Sequence, residues 1–394
     1  MRILVAEDDN TIRTWLKIKL SKWGYEIDLA EDGLKAYELY QQHAHTLVMT
    51  DWMMPNLDGI GLIQKIRETA SVSKTYIIMV TAKQEGGDVI TGVEAGADDY
   101  IVKPVQSDEL QARLIAARRI LKLESELQQQ NANLEFANMQ MKADLAVAAR
   151  IQQSFLPHKE LIFKEVIFEW GLLPCDELAG DALNVIQLDD FHLGFYLLDV
   201  SGHGVAAALL AMTLIHTLSA DQANSTLYKR SDDGSYSILP PAKVAERLNN
   251  QFPMDDINGQ YFTFIYGVID LQTKCVTYTA AGHPGPVVIS TDIEPISLPT
   301  TGMPIGFIPD NKYEEETVQL KQGDRLVCFS DGILECTNKY EEQFGRERLM
   351  RQLQQQYNSV SLRDCIDKLV VSALKWNGLS PLGDDVSILS LEIQ

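Results

Sequence analysis

The apolar positions of the first 120 residues fall into short continuous runs separated by stretches of helical period. ILVA at 3–6 precedes a helical stretch at 11–22, and TLVMT at 46–50 precedes another at 60–68. TYIIMVTA at 75–82 precedes a third at 88–95, and YIVKP at 100–104 leads into a helix from Ser107. Near-continuous apolar strands alternating with amphipathic helices predict an α/β unit, doubly wound around a parallel sheet with both faces covered. From 107 to 155 there is neither Pro nor Gly, and Pro157 closes the run. A continuous helix there would be roughly 70 Å long. Ile120, Leu127, Leu134, Met141 and Ala148 recur every seven residues, the spacing of one coiled-coil seam. The companion seam begins at Leu123 and is interrupted by Gln130 and Asp144. Two readings stay open: a solvated helical spacer, or a marginal parallel dimer that carries motion between domains. The second is preferred, because marginal packing lets a small bias change register or order.

Beyond the connector, strand-length runs occur at 191–200, 261–270, 275–282, 324–332 and 385–393, with helical stretches at 205–219, 241–251, 345–356 and 361–376. Mixed in this order they predict an α+β sandwich, two sheets packed together with helices outside. The expected organisation is a first domain at 1–120, a helical coiled-coil connector at 121–157 and a second domain at 158–394.

Composition narrows the partners. The 394 residues are 45% hydrophobic and 23% charged, as in ordinary globular proteins, but the formal net charge is −21. Such a surface repels phosphate backbones and anionic lipids, so neither nucleic acid nor membrane is an expected partner. The five cysteines are odd in number and never closely paired, which reads as buried hydrophobes in a reducing compartment. The start of the chain has no signal-peptide pattern, and the apolar stretch 205–215 is too short to span a bilayer. The expectation is a cytoplasmic protein.

The acidity also directs attention to carboxylates at strand ends. Glu7 and Asp8 follow the first strand, Asp51 the third, Thr81 ends the fourth and Lys103 the fifth. In parallel sheets ligands sit at these carboxyl ends. Three carboxylates within about 5 Å repel by roughly 3 kcal/mol per pair at an effective dielectric near 20, so they call for a cation. Oxygen ligands without His or Cys favour Mg2+ beside a phosphate. In the second domain Asp181, Asp199, Asp331, Asp384 and Asp385 again lie at strand ends, several beside glycines. They read as an oxygen-lined site for two divalent cations, suited to hydrolysis of phosphate esters. A nucleotide-binding kinase is disfavoured, because there is no GxxxxGK[ST] loop and no kinase glycine loop. His203 and His283 lie near such turns, but without a nucleophile elbow they are not read as catalytic bases.

Two resemblances extend this reading. ILVAEDDNTIR, LVMTDWMMPNLDGIGLI, IIMVTA and GADDYIVKP resemble the response-regulator receiver domain, a five-stranded CheY-like fold. The resemblance implies that Asp51 accepts a phosphoryl group from a sensor histidine kinase. Glu7, Asp8, Asp51 and the carbonyl of Met53 would arrange Mg2+, Lys103 would contact the phosphoryl group, and Thr81 and Tyr100 would form the switch pair. It also implies a cis Lys103–Pro104 bond.

The second series is ARIQQSFLP at 149–157, LAGDALN at 178–184, LLDVSGHGVAAALLA at 197–211, AAGHPGPVVI at 280–289, TGMPIGF at 301–307, GDRLVCFSDGILECTN at 323–338, FGRERL at 344–349 and GDDVSILSL at 383–391. It resembles the SpoIIE-type branch of metal-dependent (PPM) serine/threonine phosphatases. By that resemblance Asp181, Asp199 and the carbonyl of Val200 would hold one Mn2+ or Mg2+. Asp199, Asp331 and Asp384 would hold a second, with Asp385 an additional candidate. Many members read Gly-Gly-Asp-Phe-Tyr-Asp where this chain has Ala179, Gly180, Asp181, Ala182, Leu183 and Asn184, so an outer acid is lost at Asn184.

The combined expectation is a homodimeric two-component response regulator. Phosphorylation of Asp51 would control a phosphatase acting on an anti-sigma factor antagonist of the STAS type, with water attacking phosphorus directly. The alternative is a catalytically silent phosphatase fold that binds a sigma or anti-sigma factor as a phosphorylation-controlled adaptor.

Overall fold

The computed structural model describes all residues except 44, 70–74, 83–91, 158–159, 255–258, 291–292, 358–360 and 379. The chain divides into two compact units, Met1–Asn138 and Met139–Gln394. Of the helical stretch expected at 88–95, residues 88–91 lie outside the described residues and 92–94 are helical.

In the first unit β1 (Arg2–Ala6), β2 (Glu26–Ala30), β3 (Leu47–Asp51), β4 (Tyr76–Thr81) and β5 (Asp99–Val102) form one parallel sheet in the order β2-β1-β3-β4-β5. Alternate side chains serve opposite cores, which explains why the central strands are apolar throughout. Ile3, Val5, Met49 and Ile78 pack with Leu16, Leu20, Leu110 and Leu114, whereas Leu4, Ala6, Val48 and Ile77 pack with Ala36, Leu62, Ile63 and Ile66. The edge strand β2, EIDLA, and the helix Gly33–His43 that follows it carried too few consecutive apolar residues to mark them in the sequence.

One helix runs from Ser107 to Gln153, 47 residues. Its first turns bury Leu110, Leu114 and Ala117 in the first unit's core. Farther on, the seven-residue seam is exposed at Leu127 (57%), Leu134 (70%) and Met141 (57%). Among the described residues no helix is long and apolar enough to cross a membrane.

The second unit is built on two antiparallel sheets. The first contains β8 (Ala182–Gln187), β9 (His192–Val200), β12 (Phe262–Asp270), β13 (Cys275–Ala281) and β16 (Glu316–Gln319), in the order β16-β13-β12-β9-β8. The second contains β6 (Glu160–Phe163), β7 (Val166–Leu173), β14 (Val287–Ile289), β15 (Ile296–Ser297), β17 (Arg325–Phe329) and β18 (Val386–Ile393), in the order β15-β14-β17-β18-β7-β6. A separate hairpin pairs β10 (Tyr228–Arg230) with β11 (Tyr236–Ile238).

Leu183, Phe195, Leu197 and Ile265 of the first sheet meet Phe168, Leu326, Cys328 and Leu389 of the second in one core. The outer face of the first sheet is covered by the helices Val205–Thr217 and Pro241–Gln251, that of the second by Gly345–Tyr357 and Leu362–Trp376. This is the α+β sandwich expected from the sequence.

Candidate functional sites

The first site begins with three consecutive acids that the fold separates. Asp9 caps the helix Asn10–Lys22, its Oδ1 accepting the amides of Thr11 (2.7 Å) and Ile12 (3.0 Å). Such capping satisfies otherwise unpaired helix donors. Glu7 and Asp8 remain, and one carboxylate oxygen from each lies within 4.8 Å of one on Asp51, at the end of β3. Lys103 Nζ donates to Asp51 Oδ2 at 2.7 Å and to Glu7 Oε1 at 2.9 Å. The amide of Trp52 donates to Asp51 Oδ1 at 2.7 Å.

One ammonium among three carboxylates leaves the set short of positive charge. Burial, and then the Asp51 charge, push Glu7 up to about 7 against the opposing pull of Lys103. Glu7 Oε2 is buried with no hydrogen-bond partner. A cation fits this donor set. The Lys103 amide donates to the Thr81 carbonyl at 2.8 Å, so the ends of β4 and β5 bring Thr81 and Lys103 side by side. The Lys103–Pro104 bond is cis. Tyr100 is half-buried on β5, with the Arg113 guanidinium 5.9 Å from its ring centre, and the Met53 side chain is exposed.

The second site lies at one end of the sandwich. Asp181 immediately precedes β8, and Asp199 is near the end of its antiparallel partner β9. Asp331 follows β17, and Asp384 precedes the antiparallel β18. Four aspartates thus reach the same edge from both sheets. Asp331 stands at the N-cap of the short helix Gly332–Glu335 but makes no side-chain cap bond, which leaves its carboxylate available. Gly332 is required there, because a Cβ would lie 2.0 Å from the Asp385 carbonyl oxygen.

Asp199 occupies the electrostatic centre. Burial, then the charges of Asp331 and Asp384, raise its carboxyl to about 8. Burial and the Asp199 charge push Asp181 well above the usual carboxylate range, and the nearby Ser387 and Ser330 hydroxyls oppose this only in part. No hydrogen bond of ordinary geometry reaches either oxygen of Asp181, nor Oδ1 of Asp331, and all three atoms are buried. Asp384 is also raised, chiefly by burial.

Stranding buried carboxylates in this way costs several kcal/mol unless a cation or proton compensates, by about the penalty known for buried charges. Divalent metals fit these acids. Among the described residues the four do not gather in threes within 4.8 Å as Glu7, Asp8 and Asp51 do. Their charges nevertheless meet at Asp199: its charge raises Asp181, and the charges of Asp331 and Asp384 raise it in turn. The Val200 carbonyl oxygen lies beside Gly180, 3.3 Å from where a Cβ on that glycine would stand.

The neighbours argue against other chemistry. Burial and the charge of Asp385 push the Cys175 thiol up to about 12, so it is not a thiolate at neutral pH. His283 is fully buried, 2.7 Å from Thr263 Oγ1, and burial lowers it to about 3. It therefore stays neutral. His203 is exposed beside Asp176, at 3.1 Å. Asn184 Oδ1 accepts the amide of Val185, a local contact.

Asp385 lies close to Asp181 and Asp384 but differs from them in its bonds: its carboxylate accepts the amides of Cys175, Gly180 and Asp181. Sequence reasoning missed Gln152, whose side-chain amide makes two hydrogen bonds with the backbone of Ala179. Gln152 stands inside a recognised segment, but its partner is 27 residues away and no local signal points to it.

The family model described as "Stage II sporulation protein E (SpoIIE)" matches residues 189–394, and the response regulator receiver domain model matches residues 3–115. A solved structure titled "SiaA-PP2C domain of Pseudomonas aeruginosa" aligns with a TM-score of 0.52 at 20% identity, covering 66% of this chain and 99% of that one, which shows a shared fold. The probable transcriptional regulator ycf27 of Guillardia theta is 44% identical over 118 residues, 30% of this chain and 45% of that protein. Response regulator MprA of Mycobacterium ulcerans is 35% identical over 141 residues, 36% of this chain and 60% of that protein. The chain spans about half the length of the curated relatives it matches.

Proposed function

The chain belongs to the SpoIIE family and carries a receiver domain at its N-terminal end, and from that premise we propose that it is a response regulator whose output is hydrolysis of a serine/threonine phosphoprotein. The observation that carries the reading is the Asp181 carboxylate, buried beside Asp199 with neither oxygen hydrogen-bonded. In this reading Asp181, Asp199 and the Val200 carbonyl hold one divalent ion, and Asp199, Asp331 and Asp384 the other. When bound, such ions supply the positive charge that makes water nucleophilic at neutral pH and draws in the phosphoryl oxygens.

The residues do the rest. Asp199, on which the charges of Asp331 and Asp384 converge, would contribute to holding both ions. Burial of the cluster keeps the local dielectric low, so charge compensation there is strong. Cys175 is held as a thiol and His283 is fully buried, so neither of these described residues is poised to form a phosphoenzyme. Attack on phosphorus is then direct.

At the receiver, Asp51 is the phosphoacceptor; Lys103 offsets part of the negative charge there, and Glu7, Asp8 and the Met53 carbonyl would hold Mg2+ beside it. The donor is a histidine kinase. Thr81 and Tyr100 respond to the phosphoryl group. The substrate is an anti-sigma factor antagonist of the STAS type, an assignment supported by the family resemblance. The exposed seam at Leu127, Leu134 and Met141 supports pairing with a second copy.

The test is Mn2+- or Mg2+-dependent dephosphorylation of phosphorylated STAS protein, with and without acetyl phosphate. It compares wild type, Asp331→Asn and Asp51→Asn. Hydrolysis abolished by Asp331→Asn, and a response to acetyl phosphate abolished by Asp51→Asn, are expected. Full activity of Asp331→Asn would overturn the two-metal reading. A wild type inert on several phosphoproteins would favour the adaptor.

A further inference from the structure

Asp384 and Asp385 are adjacent acids before the same strand, yet their surroundings differ. Asp385 is 3% exposed. Oδ1 accepts the Cys175 amide at 2.7 Å, and Oδ2 accepts the amides of Gly180 at 2.6 Å and Asp181 at 3.2 Å. Three of the roughly four acceptor positions of this carboxylate are thus taken by backbone amides. Both oxygens are committed to holding backbone, which leaves little of the carboxylate for a metal.

These bonds also span the sandwich. Asp385 immediately precedes β18 of the six-stranded sheet, while Gly180 and Asp181 lead into β8 of the five-stranded sheet. The backbone of Asp385 is fixed in turn by the segment bearing Asp331. Ser330 Oγ donates to the Asp385 carbonyl at 3.2 Å and accepts the Ser387 amide at 3.0 Å, and Gly332 packs directly on the same carbonyl. One buried residue therefore joins three segments, those carrying Asp181, Asp331 and Asp384.

We infer that Asp385 is a positioning residue that aims the Asp181 carboxylate at its metal, and is not itself a ligand. The inference rests on the reading of Asp181 as a ligand. Its consequence for substitution is specific. Asparagine has nearly the same size but presents an NH2 donor where one carboxylate oxygen accepted, so at least one buried backbone amide is orphaned.

The test uses the full-length protein and has two arms. In metal-free protein, hydrogen exchange across 175–181 should quicken by roughly tenfold in Asp385→Asn and more in Asp385→Ala, as expected when about one hydrogen bond is lost. By titration calorimetry with Mn2+, Asp385→Asn should bind as many ions per chain as wild type, one of them about 10- to 100-fold more weakly, the range for residues that orient ligands.

Unchanged exchange in both variants overturns the proposal. So does loss of one ion per chain from Asp385→Asn with exchange like wild type, which would make Asp385 a ligand. If the wild-type phosphatase unit binds no Mn2+, the metal reading fails, and the exchange arm alone decides whether Asp385 holds the Gly180–Asp181 backbone. Circular dichroism on both variants identifies misfolding, and the near-isosteric Asn variant keeps the comparison valid.

Discussion

Gln152 and Ala179 exchange two hydrogen bonds: Gln152 Nε2 donates to the Ala179 carbonyl at 2.7 Å, and the Ala179 amide donates to Gln152 Oε1 at 3.1 Å. The glutamine stands in the last turn of the helix Ser107–Gln153 and is 7% exposed, and Ala179 directly precedes Gly180 and Asp181. The end of the helix is thereby tied to the loop that presents the most deeply buried acid of the site.

Substitution Gln152→Ala strands both backbone groups of Ala179. Each orphaned buried group costs about 1–3 kcal/mol. We expect faster hydrogen exchange at Ala179 and a lower melting temperature. Gln152→Glu keeps the acceptor but sets a buried carboxylate oxygen against the Ala179 carbonyl, so near neutral pH it should be at least as destabilising as Gln152→Ala. Equal melting temperatures and exchange in all three would show that the pairing is not maintained in solution.

Removing the ammonium of Lys103 exposes Glu7 and Asp51 to their mutual repulsion. Lys103→Met should therefore bind Mg2+ several-fold more tightly, since a cation then meets less positive charge, by the Coulomb estimate at an effective dielectric near 20. Phosphorylation by acetyl phosphate should be slower. Trp52, adjacent to Asp51, provides a fluorescence readout for the Mg2+ titration. Weaker Mg2+ binding would contradict this charge accounting.

The stability of the metal-free protein should fall as pH rises. Asp199 is raised to about 8 in the folded state, above its ordinary value near 3.8. Between those values the folded protein binds more protons than the unfolded chain, so deprotonation favours unfolding. Below the lower value the group is neutral in both states and the penalty is absent. Glu7, raised to about 7, adds the same slope in the receiver. Urea melts of metal-free protein between about pH 4 and about pH 8 should show this decline, and Asp331→Asn should flatten it by removing one repelling charge. A rise in stability over that range would be inconsistent with the raised carboxyls.

Gly332→Ala should be strongly destabilising, because the new Cβ would meet the Asp385 carbonyl at 2.0 Å and both are backbone-fixed. A cost of about 3 kcal/mol is expected for such overpacking. Thermal melts measure it. A loss below about 0.5 kcal/mol, the level of ordinary surface changes, would mean the turn relaxes without strain.

Much of this molecule was readable in the chain before folding. Strand and helix patterns depend on neighbours a few positions away, so the long helix, the parallel sheet and five of the sandwich strands followed from periodicity. Other strands were missed: β2 is an edge strand with mixed residues, β14 and β15 are short, and β6, β7, β8 and β16 were not read as strands. The acids at strand ends were legible because such ends converge in these folds.

Which acid does what was decided by tertiary structure. Asp9 turns to cap a helix while Glu7 and Asp8 face Asp51, and Asp385 takes three amides while Asp384 does not. Adjacent aspartates carry the same chemistry in sequence. Their roles separate only when amides from remote segments, such as Gly180, 205 residues before Asp385, arrive to satisfy one and leave the other exposed to its neighbours' charge.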